Sequence, residues 1–337
     1  MEIKTLLASS ANYLGLLDSY AYARRSVCKS QVAILLYHRV CPKQYTWCRE
    51  ALNPSAFEKH LTYLCSNFEI LSLDELGQLI NQDKSLPGKA AVITLDDGYR
   101  DNFLYAYPIL KKYHIPATIF LVTGHIGSNE LIWPDKVDYI IENTTVEQLD
   151  TEELGSYRLE STHARRHAKR TCIRTLKTMS PTRRGLSIEN LLNAARVSFP
   201  IDSDRDSLLS WDEIKEMSNN GITLGAHTVT HPVLTGLDPE QARWEIIESK
   251  KIIEQELSKK VTCFAYPFGE PNDFNSTVIK TVREAGFNCA VTCKPCWVNH
   301  KSNTYSMGRI VALEDLSKLK AMLSGFWPDL KKLFHIA

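Results

Sequence analysis

The chain has 337 residues, 40 Lys and Arg against 39 Asp and Glu for a formal net charge of +1, and 44% hydrophobic residues. That is a globular composition. The balanced charge, with no block of one sign, excludes the basic footprint of a nucleic-acid binder, and the length suffices to bury a core without a disulfide framework. Nine cysteines, an odd number in a chain this long, predict a reducing compartment. The first residues lack the basic and apolar regions of a secretory signal, and no apolar run approaches the ~18 residues of a membrane span, so a cytoplasmic location is expected.

In chain order, residues 1–30 read as an N-terminal helical segment. Leu6, Leu7, Tyr13, Leu14, Leu16, Leu17 and Tyr20 recur at helical spacing beside Arg24 and Arg25, a pattern that fits a peripheral membrane contact or a helix packed on the core. Residues 31–337 read as one domain. Val32–Tyr37, Ala91–Leu95 and Ala117–Val122 are short and uniformly apolar, as buried parallel strands are. Between them, Asn53-Pro54 opens a helix through Phe57, Leu61 and Leu64, and Asp74 caps another through Leu79. The polar stretch at about 142–206, basic around Arg165–Arg174, is expected to be a helical insertion, either a cap over one end of the sheet or an arm that touches substrate. Gly221–Leu224 and Val261–Ala265 repeat the strand pattern around a long helix, Pro239–Leu257, with Trp244, Ile247 and Ile253 among its apolar positions and Glu245, Glu248, Lys250 and Lys251 on its wet side. Strands alternating with helices predict an α/β fold, a parallel sheet or barrel.

Two segments carry chemistry. Asp96 and Asp97 stand at the end of an apolar strand just before Gly98; consecutive strand side chains diverge, so the two carboxylates can take different roles. His227 and His231 follow another strand, four apart and ahead of Pro232. The β-branched residues between them point to a strand-to-loop corner, and Thr228 stands where a zinc-protease HExxH motif has Glu. Two imidazoles and one carboxylate form a donor set that leaves room on a divalent cation for water and substrate.

Taken in order, TLDDGY at Thr94–Tyr99, HTVTH at His227–His231 and AYPFG at Ala265–Gly269 resemble the NodB-type polysaccharide deacetylases of carbohydrate esterase family 4. The resemblance spans roughly Val32 to Arg309 and takes in Leu36–Val40, Pro116–Phe120 and Ala285–Phe287. It implies a distorted (β/α) barrel of about seven parallel strands, with a divalent metal at the C-terminal strand ends, most simply Zn, with Co, Ni or Mn as alternatives. It also implies removal of N-acetyl groups from amino sugars, or O-acetyl groups from glycans. Position by position it assigns Asp96 as general base, and Asp97, His227 and His231 as metal ligands. Tyr266, Pro267 and Gly269 are assigned to the loop wall, and the Phe268 amide to the oxyanion.

The chain departs from the family pattern in two places. No catalytic His in a leucine-rich motif follows Arg309, and in a branch with an N-terminal Tyr-His motif the acid is a histidine that His38 matches. Ala265 stands where many members have an arginine that orients the catalytic Asp, and Arg309 is the candidate to restore that charge. Trp133 and Trp211 bracket the insertion and are candidates for stacking on sugar. Cys289, Cys293 and Cys296, with His300, form a weak metal pattern that reads first as ordinary thiols. The expected substrate is an amino-sugar glycan of a surface polysaccharide or its lipid-linked precursor. The alternatives are an O-acetyl esterase and a catalytically weak glycan-binding relic.

Overall fold

The computed structural model describes residues 16–17, 19–20, 31–42, 51–199 and 208–325. The N-terminal helical segment therefore lies outside the described residues except for residues 16, 17, 19 and 20.

The strands are β1 (Gln31–Tyr37), β2 (Glu69–Leu71), β3 (Lys89–Leu95), β4 (Thr118–Leu121), β5 (Gln148–Thr151), β6 (Gly155–Arg158), β7 (Thr223–Ala226), β8 (Cys263–Ala265), β9 (Cys289–Val291) and β10 (Ile310–Val311). The helices are α1 (Pro54–Asn67), α2 (Leu73–Asn81), α3 (Tyr107–Lys112), α4 (Trp133–Asn143), α5 (Thr162–Lys177), α6 (Pro181–Ala195), α7 (Trp211–Asn219), α8 (Pro239–Leu257), α9 (Ser276–Glu284) and α10 (Leu316–Ser324). Seven strands pair side by side in the order β10-β1-β3-β4-β7-β8-β9, with β2 added beside β3. All these pairs are parallel. With the helices around it, the curled sheet is a distorted (β/α) barrel. The segment after β9 bridges back to both rims, through Val291 with Met307 and Val32 with Val298.

Local chemistry sets the element ends. Asn53 caps α1 by accepting from the Ser55 N–H, with Pro54 at the first helical position, and Asp238 caps α8 through the Glu240 and Gln241 N–H groups. The cap of α2 is Ser72, not Asp74, because its hydroxyl reaches the Glu75 N–H while Asp74 lies inside the first turn. On α8 the expected faces are reversed at two positions: Trp244 is half exposed and Glu245 is buried, for a reason given below. The inner and outer faces of β1 and β3 are both covered, with Ala33, Leu35, Ile93 and Leu95 in one apolar cluster and Val32, Ile34 and Val92 in another. This is why these strands read as continuous apolar runs.

The stretch after residue 142 holds α5 and α6 together with an antiparallel hairpin, β5–β6, which the helical reading did not include. With α4 it builds its own small core around Val137, Ile140, Leu149, Cys172, Leu176 and Leu191. Trp133 belongs to that core and Phe268 packs against it, so the insertion abuts the barrel at the motif loops. Among the described residues no helix is long and apolar enough to cross a membrane.

Candidate metal centre and active site

Strand register brings the motifs together. Tyr37 pairs with Leu95, and the Asp96 N–H donates to the Tyr37 carbonyl at 3.0 Å, so His38 and Asp96 leave the sheet on neighbouring strands. Leu121 pairs with Ala226 and Ala226 with Phe264, which sets His227 beside Ala265. All four strands run the same way, so their following residues meet at one C-terminal rim, where sites of such barrels sit.

The turns leaving that rim are unusual. Of the eight non-glycine residues with positive φ among those described, four belong to the motifs: Asp97 (74°), Thr228 (68°), His231 (56°) and Phe268 (61°). Backbone in this region costs on the order of 1–3 kcal/mol per residue and persists where the surroundings dictate it. At Gly269, φ is 64° and a Cβ would lie 2.6 Å from the Cys293 nitrogen, so only glycine fits.

Asp97, His227 and His231 converge, with one donor atom from each lying within 4.8 Å of the others. The Nε2 atoms of both histidines lie 3.5 Å from Asp97 Oδ1, which is buried and makes no hydrogen bond. His227 Nδ1 sits 2.7 Å from the Ala265 carbonyl; a proton on Nδ1 leaves the Nε2 lone pair free to face Asp97, the second contact usual for a metal-binding histidine. Burial outweighs the nearby carboxylates at His231 and pushes its pKa down to about 3, keeping the ring neutral. At Asp97 burial is outweighed by His227, His231 and His38, and the carboxyl is held well below the usual range. At His227 burial is outweighed by Asp97 and Asp96, and the pKa is raised. Two imidazole nitrogens facing an ionised oxygen that makes no hydrogen bond have the donor chemistry of a divalent-cation site, so these residues fit the implied metal. Among the described residues this is the one such group of His, Cys, Asp or Glu; Cys289 instead lies 3.5 Å from Cys263 within the buried sheet.

Asp96 faces a different partner. Arg309 is fully buried and grips both carboxylate oxygens at 2.6 Å, while its remaining donors reach Thr94 Oγ1 at 3.2 Å and the Thr292 carbonyl at 3.0 Å. Against the cost of burial, this guanidinium, with His227 and His38, holds the Asp96 carboxyl below the usual carboxylate range. Arg309 thus brings its charge from the segment before β10 to the carboxylate that Ala265 cannot serve. The exposed His38 is close enough to bias both aspartates electrostatically, and its carbonyl accepts from Asn102 Nδ2 at 2.8 Å.

Phe268 is half-buried, with its ring 5.0 Å from that of His231 and 5.3 Å from that of Trp133. Among the described residues no acceptor takes its N–H. Trp133 is largely buried and its Nε1–H donates to the His231 carbonyl at 2.9 Å; it braces the site. Three residues expected at the substrate, Tyr266, Pro267 and Trp211, are used for packing instead. Tyr266 is fully buried, stacks on Phe274 at 4.5 Å and donates to the Tyr305 carbonyl at 2.8 Å, so it supports the loop from beneath, with buried Pro267 beside it. Trp211 opens α7 and packs half-buried on the main core, where its ring is used for packing.

Three further residues shape the site. The Glu245 carboxylate accepts from the Val229 N–H at 2.7 Å, the Thr230 N–H at 3.0 Å and the Thr230 hydroxyl at 2.5 Å. It therefore holds the turn between the two histidines, which is why it is buried on α8. Asp101 pairs with Arg39 at 2.8 Å and accepts from the Val40 N–H at 3.0 Å, fixing the chain just after His38. Asp135 is a third buried carboxyl near the site; burial pushes its pKa up to about 8, with Arg39 opposing and Asp97 reinforcing the shift. The WPD tripeptide at Trp133–Asp135 is the sequence signal for it.

The chain is similar to known proteins. The polysaccharide deacetylase family profile matches residues 83–290. The chain is 24% identical over 282 residues to YxkH of Bacillus subtilis (strain 168), covering 83% of this chain and 71% of that protein. It is 26% identical over 215 residues to a poly-β-1,6-N-acetyl-D-glucosamine N-deacetylase of Staphylococcus epidermidis (strain RP62A), covering 58% and 72%. The structure of the Streptococcus pyogenes deacetylase PplD in complex with acetate shares the fold, with a TM-score of 0.58 at 20% identity over 88% of this chain and 99% of that one. With the profile spanning the strands that carry the Asp-Asp, His-His and Tyr-Pro-Phe motifs, the chain belongs to the polysaccharide deacetylase family.

Proposed function

We propose that the chain is a metal-dependent hydrolase that removes N-acetyl groups from amino sugars of a surface polysaccharide or its lipid-linked precursor. The observation that carries this reading is the convergence of Asp97, His227 and His231 on one point beside an ionised Asp96. Asp97, His227 and His231 would hold the cation, which when bound supplies Lewis-acid polarisation and acidifies water. Asp96, kept ionised by Arg309, takes the proton from the attacking water. The Phe268 N–H donates to the oxygen that becomes negative as the acetyl carbon turns tetrahedral. His38, at the exposed mouth, gives a proton to the departing amine as the C–N bond breaks, leaving acetate and a free amino sugar, the role a histidine takes in the branch with the Tyr-His motif. The name of the S. epidermidis relative makes β-1,6-linked N-acetylglucosamine the first substrate to test.

The test is acetate and free-amine release from β-1,6-linked N-acetylglucosamine oligomers with Zn²⁺ or Co²⁺ present, beside ester cleavage on an O-acetylated glycan. The N-deacetylase reading expects amide turnover, with His38→Ala lowering it by about 10²-fold or more. It is overturned if no N-acetylated oligomer releases acetate, or if only the ester is cleaved and His38→Ala leaves that rate intact.

A further inference from the structure

A groove of about 750 Å³ runs from Phe268 between α5 and the loops after β7 and β8. On its α5 side stand Arg170, Arg174 and Lys177, whose spacing of four and three puts them on one helix face. The opposite side holds two carboxylates, Glu270 and Asp273, and uncharged residues including Thr235 and Asn272. Lys177 is tied to both carboxylates, 2.8 Å from Asp273 Oδ1 and 3.4 Å from Glu270 Oε2, and lies over the Phe268 ring at 4.5 Å. It offsets one of the two negative charges on that wall and stands at the joint between groove and active site. Arg170 and Arg174 remain: both are exposed, and among the described residues neither is paired with a carboxylate.

The groove is joined to the proposed catalytic centre through one residue. Phe268 lines it and also packs against His231, so a glycan with its acetamide at the triad continues past this ring toward α5. A neutral sugar chain gains little from two unpaired guanidinium groups, whereas their planar forks match the oxygens of a phosphate or carboxylate. We propose that this groove, supplied by the insertion, is a subsite for an anionic group, phosphate or carboxylate, carried by the glycan next to the sugar being deacetylated. It rests on the deacetylase reading for the position of the sugar, while the anion preference rests on the groove alone.

The test compares fluorescently labelled tetra-N-acetylglucosamine in three forms, neutral, with a terminal phosphate and with a terminal carboxylate. Binding is measured by anisotropy at low and high salt for the wild-type chain and an R170Q/R174Q variant. Wild type should bind at least one anionic form about tenfold more tightly than the neutral one, about 1.4 kcal/mol, and lose the preference at high salt; the variant should bind all three alike. Preference for the phosphate form or for the carboxylate form identifies the source of the charge. Equal binding of all three by wild type, or a preference that survives in R170Q/R174Q, overturns the proposal. Acetate release from the neutral oligomer should be the same for both proteins. If no oligomer releases acetate, the deacetylase reading fails while the binding result still decides the groove.

Discussion

Removing the guanidinium that grips Asp96 should destabilise the fold and change the acid side of the activity profile together. Arg309 is fully buried and Asp96 is 2% exposed, and two contacts of 2.6 Å join them. Arg309→Met fills much of the space but strands the carboxylate in the interior, which costs about 3–5 kcal/mol out of a total on the order of 5–15 kcal/mol. Asp96→Asn strands the guanidinium instead. Changing both removes the mismatch, so the double-mutant cycle should give a coupling of about 2–3 kcal/mol. The assay is urea unfolding of the four proteins, compared at constant slope, beside the pH dependence of acetate release. In the wild type the Asp96 pKa is lowered, so its contribution to stability is present above the ordinary carboxylate range and is lost as pH falls through the folded-state value. Without Arg309 burial dominates, the Asp96 pKa rises, and the acid limb of kcat/KM moves to higher pH. Additive effects, or an unchanged acid limb in Arg309→Met, would refute the assignment of Arg309 as the charge partner of the base.

Two other perturbations test the surroundings. Glu245→Gln replaces one acceptor oxygen on the turn between the histidines and should weaken zinc affinity by about 10–100-fold with unchanged circular dichroism; unaltered affinity by calorimetry would deny Glu245 this positioning role. His60 is fully buried, and burial pushes its pKa down to about 4 against 6.5 ordinarily. The stability held by its neutral form is complete above 6.5 and drains as pH falls toward 4. Relative to His60→Leu, the wild type should therefore lose about 2 kcal/mol between about pH 7 and 5 by urea unfolding; parallel pH dependence in the two proteins would contradict this.

Strands β1, β3 and β4 were legible because they are buried almost throughout and mostly apolar, and β1 and β3 have polar motif residues directly behind them. β9 and β10 were not. At three and two residues they have no period to read, and pairing with neighbours makes them strands. The metal triad was readable because each ligand sits in a compact motif. The Asp96–Arg309 pair spans 213 positions, so only the mismatch at Ala265 hinted at it. Glu245 was hidden because an acidic residue in a helix reads as a wet face, and the turn it serves is an element away. Tyr266 misled in the opposite direction, since a tyrosine in a motif loop gives no sign that a backbone carbonyl already takes its hydroxyl.

The proposed function makes Asp97, His227 and His231 a single cation site on which acetyl hydrolysis depends. Its most direct measurement is a titration of chelator-treated protein with Zn²⁺, following bound metal and acetate release from an N-acetylglucosamine oligomer in parallel, for wild type and Asp97→Ala. Both signals should rise together to a plateau at one equivalent in the wild type, and neither should do so in the variant. Tight binding of zinc that Asp97→Ala leaves unchanged, or acetate release at full rate in the metal-free protein, would contradict it.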